Sequence, residues 1–315
     1  MSDRLARGLE DAGNVAASDA ARASAEISAR RRFWWSLRRE LWESRSIYLA
    51  PLAVAALIVV GALLGSFQLA DKVRAAAVLA PAPRHAAIAQ PYEFASLLLM
   101  AATFVVAIFY CLDAFQSERR DRSILFWKSL PVSDLTTVLA KTTVPLVILP
   151  LLTVALTFVV HLVMLLVGTA ALAAGGHAGL LWSEVDLPRM TALIAFHLIG
   201  VHALWYAPIY AWLLLVSAWA NRVPWLWATL PLAAIATVER IAFGSQHFAL
   251  LLADRLAGAP EGTGTDMSTP GSMTDPLMRM MPGELLTSPG LWIGLALAAA
   301  FLALAVRLRR SRGPV

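Results

Sequence analysis

Six stretches of this sequence are long and apolar enough to cross a hydrocarbon core of roughly 30 Å, which takes about 20 helical residues. They are residues 48–69, 94–115, 144–174, 190–220, 224–243 and 289–306. In lipid every backbone N–H and C=O must be satisfied within the chain, so each run predicts a helix. The third and fourth are long enough to tilt or to project beyond the bilayer. The sixth reaches the required length only by starting near Ser288 or Pro289. Hydrophobic residues make up 59% of the chain and charged residues 15%, and the mean hydropathy is +0.67, whereas a soluble domain carries about 25% charged residues. The expected fold class is therefore all-α, a polytopic membrane protein with six transmembrane helices.

Charge placement gives the expected orientation. Of the 26 lysines and arginines, nineteen fall in residues 1–45, 116–141 and 307–312 and at Arg222. The remaining seven are Lys72, Arg74, Arg84, Arg189, Arg240, Arg255 and Arg279. Basic residues are retained on the cytoplasmic side, so both termini and the connection after the second span are expected there. The formal net charge of +5 is read as a topology signal, not as a nucleic-acid footprint. On the other side, residues 70–93 read as a moderate loop, 175–189 as a short one, and 244–289 as a long external loop. The middle of that loop, "GAPEGTGTDMSTPGSMTDP", has flexible-loop composition; "FGSQHFALLLADRLAG" before it could form a short interfacial helix.

Residues 1–29 are polar and alanine-rich and lack a compact apolar h-region, so no signal peptide is expected. Cys111, alone in the chain, excludes an internal disulfide and a Cys-rich metal site. The resulting division is an N-terminal tail and interfacial helix over 1–46, a transmembrane domain over 47–306, and a basic tail over 307–315.

Residues 26–46, "EISARRRFWWSLRRELWESRS", place Ile27, Phe33, Trp34, Leu37, Leu41 and Trp42 at mostly three- and four-residue spacing, with the arginines largely elsewhere. This pattern predicts an amphipathic helix lying in the headgroup plane, with Trp34, Trp35, Arg38 and Trp42 as interface anchors. A basic juxtamembrane anchor is the plainer alternative.

Residues 117–134, "SERRDRSILFWKSLPVSD", interrupt two lipid-soluble runs with a short cationic, aromatic segment. Ser117 or Asp121 can cap a helix that Pro131 ends near Leu130. Ser133 or Asp134 can start the next helix, at whose foot Lys141 is expected to snorkel. Tryptophan with arginine on a short exposed helix is the composition of a docking surface; a solvated loop that only fixes topology reads equally well.

The run "ERRDRSILFWKSLPVSDLTTVLAK", residues 118–141, resembles the signature of ABC-2 type exporter permeases: an acidic-basic start, a short helix, a "slPvS" ending and a lysine at the foot of the next span. The resemblance implies a coupling helix over 118–130 that sits on an ATPase subunit, with Glu118, Arg119, Arg120, Asp121, Arg122 and Trp127 as contacts. It also implies that the in-plane helix is an elbow helix, and that six spans pair with a second copy or homologue in the bacterial inner membrane. The family often has Gly-Thr where this chain has Ser123 and Ile124, which leaves the register of the coupling helix open. No G-x-x-x-x-G-K-[ST] phosphate loop occurs, nor any Gly-Lys dipeptide. ATP and Mg2+ are accordingly expected in a partner ATPase, and this chain is not expected to be an enzyme or to hold a cofactor or metal.

His161, His197 and His202 lie inside spans, where ionisable groups are functional candidates. There is no H-E-x-x-H motif, and His197 and His202, five residues apart, fall off a shared α-helical face. The alternative function is an ATPase-independent membrane protein, an ion-coupled carrier or an assembly scaffold. A carrier would place acidic residues near mid-span, and none is found there. Aromatic residues including Trp205, Tyr206, Tyr210 and Trp212 offer substrate surface, but interfacial belts use the same types.

Overall fold

The structure is a computed structural model describing residues 29–120, 132–173, 176, 178–220, 222–257 and 282–311. Among them there is no strand, and six helical segments are long and apolar enough to cross a membrane. The fold is that of a multi-pass integral membrane protein, as hydropathy requires.

Helix α1 (Ala29–Glu43) precedes the first span, α2 (Ser46–Gly65). Helix α2 is apolar all round and buries only Ile47, Pro51 and Ala55 against the rest of the chain, so most of its apolar surface lies on the outside of the bundle. It continues through a 3-10 turn, Ser66–Gln68, into α3 (Leu69–Ala77). The second span, α4 (Pro81–Asp113), starts thirteen residues before the expected Phe94, so the expected loop over 70–93 is mostly helix. Pro81 suits the first helical position. Ile88, Ala89 and Tyr92 are buried, so this projecting end is held by packing that a hydropathy window does not register. At 33 residues, α4 is about 50 Å long and overshoots the bilayer core.

Short α5 (Gln116–Arg120) follows, and the coupling-helix positions 121–130 lie outside the described residues. Ser117 does not cap it, since its hydroxyl donates back to the Asp113 carbonyl at 2.9 Å. Helix α6 (Asp134–Thr143) has Ser133 as its N-cap, whose hydroxyl accepts from the Thr136 N–H at 3.2 Å. A π-helical turn, Val144–Ile148, leads into α7 (Leu149–Leu172). Pro145 has no N–H for an α-helical bond, and the wider turn accommodates that loss. The third span is thus helical from residue 134, ten residues before its expected start.

The expected short loop over 175–189 contains α8 (Ala178–Glu184), which Glu184 ties to α4 through Arg84 at 2.6 Å. The fourth span is built from α9 (Leu187–His197), a π-helical stretch Leu198–Trp205, and α10 (Ala207–Trp219). Its i−5 hydrogen bonding runs up to the Tyr206 N–H, which donates to the Val201 carbonyl at 2.9 Å. Helix α11 (Pro224–Phe243) is the fifth span and buries only Ala228. Helices α12 (His247–Ala257) and α13 (Pro282–Thr287) follow, with residues 258–281 between them outside the described set. The sixth span, α14 (Pro289–Ser311), runs five residues past its expected end at 306, into the segment expected to be a basic tail.

Helix α10 packs along α14 and α4, and α2 along α7 and α4. The largest core cluster centres on Tyr110, Val201, Tyr210, Leu214 and Ala305. A separate cluster joins Val73, Ile88, Leu165 and Leu181 at the opposite end of the bundle.

Candidate functional site

Where α1, α5, α6 and α14 meet, the fold buries a compact group of charges. Glu118 is 4% exposed and stands at its centre. Its Oε1 accepts from Arg39 Nη2 at 2.7 Å and lies 3.1 Å from Lys141 Nζ; its Oε2 accepts from Arg309 Nη1 at 2.8 Å. Glu40, also buried, accepts from Lys141 Nζ at 2.9 Å, from the Tyr110 hydroxyl at 3.1 Å and from Arg39 Nη2 at 3.0 Å. Arg309 Nε donates to Asp134 at 3.1 Å. Phe115, in the turn between α4 and α5, completes the enclosure: its ring lies 5.4 Å from Lys141 Nζ and 5.3 Å from the Arg309 guanidinium carbon, within cation–π range. Three cations thus face three carboxylates. Pairing of this kind is what permits buried charge, since an isolated ion there would cost several kcal/mol. Glu43 sits at the rim, 3.4 Å from Arg39; partial burial raises its carboxyl above the ordinary range, against the lowering effect of Arg39.

Lys141 is therefore not a snorkelling lysine. It is 2% exposed, because Glu40 and Glu118 give its ammonium partners inside the protein and remove any reason to reach for the headgroups. Arg119, expected as a partner contact, turns inward as well. Its Nη1 donates to the Ala218 carbonyl at 2.8 Å and its Nη2 to the carbonyls of Ala220, at 2.7 Å, and Ser217. These belong to the C-terminal end of α10, where carbonyls lack intrahelical partners and the helix dipole favours a cation. The Phe115 N–H donates to the Ser217 hydroxyl at 2.9 Å, so the start of the central segment is fastened to the end of the fourth span. Arg120 is exposed. Asp121, Arg122 and Trp127 lie outside the described residues.

On α1 the buried side consists of Leu37 and Glu40, with Phe33 and Leu41 partly buried against the core. Trp34, Trp35 and Trp42 are exposed on the other side. The separation of tryptophan from arginine expected from spacing does not hold, because the Arg38 guanidinium lies 5.3 Å from the Trp35 ring and 4.5 Å from the Trp42 ring. One stripe carries both residue types, and the apolar stripe predicted to hold Trp34 and Trp42 with Leu37 is split between protein and surroundings.

The intramembrane histidines also differ from expectation. The π-helical stretch puts residues five apart on one face, and the His197 and His202 rings meet at 5.9 Å. His202 Nε2 lies 3.3 Å from the Met100 carbonyl; His161 Nε2 lies 2.9 Å from the Tyr92 carbonyl and 3.1 Å from the Ser96 hydroxyl. Among the described residues no group of three His, Cys, Asp or Glu side chains could hold a metal.

Sequence reasoning did not single out Arg39, Glu40, Tyr110, Asp134 or Arg309 as a group. A signal was present: Glu40 stands alone on the Phe33, Leu37 and Leu41 side of α1, and Lys141 is the only lysine, arginine, aspartate or glutamate between Asp134 and Glu184. From the hub a groove of about 2220 Å³ runs between α4, α10, α11 and α14 to α12, lined by residues such as Tyr110, Ile209, Trp212, Leu232 and Phe301. No family model, characterised protein or solved structure matches this chain.

Proposed function

We propose that this chain is the membrane-spanning permease subunit of an ATP-driven ABC-2 type export system in a bacterial inner membrane, with both termini cytoplasmic. A separate ATPase subunit supplies ATP and Mg2+ chemistry, and a second permease copy or homologue completes the pathway. The resemblance of residues 118–141 to the permease signature motivates the reading. The observation that carries it is mechanical: the segment that would receive the ATPase begins at Glu118 and Arg119, which are bonded to four other helices.

Closure of two ATPase subunits on ATP would displace the coupling segment. Glu118 passes that displacement to α1, α6 and α14 through Arg39, Lys141 and Arg309, and Arg119 passes it to the end of α10. Salt bridges between rigid helices transmit such a movement because neither partner can leave without exposing a buried charge. The tryptophan and arginine stripe of α1 suits an elbow helix at the headgroup level, with aromatic rings and cations directed at anionic lipid.

The test is a pull-down of the tagged chain from its native host in mild detergent, set against a variant carrying Arg120→Glu, Arg122→Glu and Trp127→Ala. Arg119 is left intact because its bonds to α10 are internal. A Walker-motif ATPase is expected with the intact chain and absent from the variant, both being membrane-inserted. Absence of any ATPase from both samples contradicts the proposal and favours an ATPase-independent carrier or scaffold.

A further inference from the structure

Arg255 is a half-buried cation with no carboxylate partner among the described residues. It lies in the last turn of α12, and the fold fixes its place from both ends of that helix. At the start, Glu239 accepts from the Ser245 hydroxyl at 2.7 Å and from the N–H groups of His247 and Phe248 at 2.8 and 2.9 Å. At the end, the Trp205 indole donates to the Arg255 carbonyl at 3.1 Å and the Tyr206 hydroxyl to the Leu256 carbonyl at 3.0 Å. The guanidinium carbon stacks 4.1 Å from the Trp205 ring, and Nη1 donates to the Gly290 carbonyl at 2.9 Å. The other two nitrogens, Nε and Nη2, are buried and have no hydrogen-bond partner among the described residues. Asp254, the preceding residue, does not supply one. Gly294 of α14 leaves the room: a Cβ there would collide with Nη2.

Burial makes this arrangement costly, and Gly290 and Gly294 place the guanidinium at the first two turns of α14, near the end of that span. Gly294 and Arg309 are separated by fifteen residues of α14, so the guanidinium lies about 22 Å along that helix from the ionic hub. A cation at such a position, within a span bundle, calls for a counter-charge. Two parallel N–H groups of a guanidinium match the oxygens of a phosphate. Arg255, Gly290 and Gly294 line the end of the groove, with Phe248, Leu251, Leu252, Ile293 and Leu297 on its walls.

We propose that Arg255 binds the phosphate of an anionic phospholipid whose acyl chains lie in the groove between α11, α12 and α14. The lipid supplies a negative charge that no described residue brings to Arg255, and its hydrocarbon covers apolar wall that would otherwise face a cleft.

Native mass spectrometry of the purified full chain, with no ATPase present, tests this separately from the export reading. The probes are phosphatidylglycerol, a diacylglycerol with the same acyl chains, and inorganic phosphate. Phosphatidylglycerol is expected to remain bound where the other two do not. Arg255→Gln is expected to lower its occupancy at least tenfold, while Arg240→Gln, which alters an exposed cation on α11, leaves it unchanged. Leu297→Trp, which fills the groove and keeps the guanidinium, is expected to lower occupancy as well, and it carries the test if Arg255→Gln fails to insert. Equal retention of diacylglycerol, equal binding of inorganic phosphate, or undiminished phosphatidylglycerol on both variants overturns the proposal.

Discussion

A lysine at the foot of an apolar helix can satisfy its charge by extending to the headgroups or by meeting a carboxylate inside the protein. Lys141 does the second, and the difference is measurable. Lys141→Met leaves the buried carboxylates of Glu40 and Glu118 short of a cation, and breaking a buried pair costs about 3–5 kcal/mol. The variant is expected to lose its fold at a clearly lower temperature in detergent, read by thermal aggregation. Lys72→Met, at an exposed position, is expected to stay within about 0.5 kcal/mol of the parent. Combining Lys141→Met with Glu40→Gln is expected to recover part of the loss, because residues in one ionic network do not act additively. If Lys141→Met behaves like Lys72→Met, the ammonium is not held as a buried partner of Glu40 and Glu118.

At the scale of single elements, α1 and the fourth span depart most from what their periodicity foretells. Helix α1 has two apolar sides in place of one, with Leu37 turned to the core and Trp34, Trp35 and Trp42 turned away from it. If the outward side lies at the headgroup level, a probe placed there senses lipid. In a Cys111→Ser background, Trp35→Cys labelled with an environment-sensitive dye in vesicles is expected to be quenched by a lipid-borne quencher more than by aqueous iodide. Stronger quenching by iodide would place the stripe in water. In the fourth span the five-residue spacing of His197 and His202 would exclude contact in an α-helix. The π-helical stretch overturns that inference because its hydrogen bonds skip one residue more, and Pro208, which follows without an N–H, is the local reason the regular ladder does not simply continue.

At the scale of the whole molecule, α11 is the least enclosed span, with Ala228 its only buried residue. Under the export reading a homologous or identical chain shares the pathway. The assembled complex is then expected to contain two permease and two ATPase chains, which light scattering after size exclusion would read. A complex with a single permease chain would contradict that architecture.

The six spans were legible because removing backbone polar groups from water leaves a helix as the only local solution, and hydropathy reports that need directly. The N-cap at Ser133 was legible for a similar reason, being set by one hydroxyl and a nearby N–H. The projecting start of α4, by contrast, depends on Ile88 and Tyr92 finding partners far along the chain, and a window of sequence contains no record of those partners. The same holds for the hub, whose charges come from residues 39–40, 118, 134, 141 and 309. Each of these alone reads as a surface or snorkelling group. Their burial became favourable only when the tertiary structure brought opposite charges within 3.1 Å of one another, since Coulomb attraction depends on distance in space and carries no trace in sequence separation.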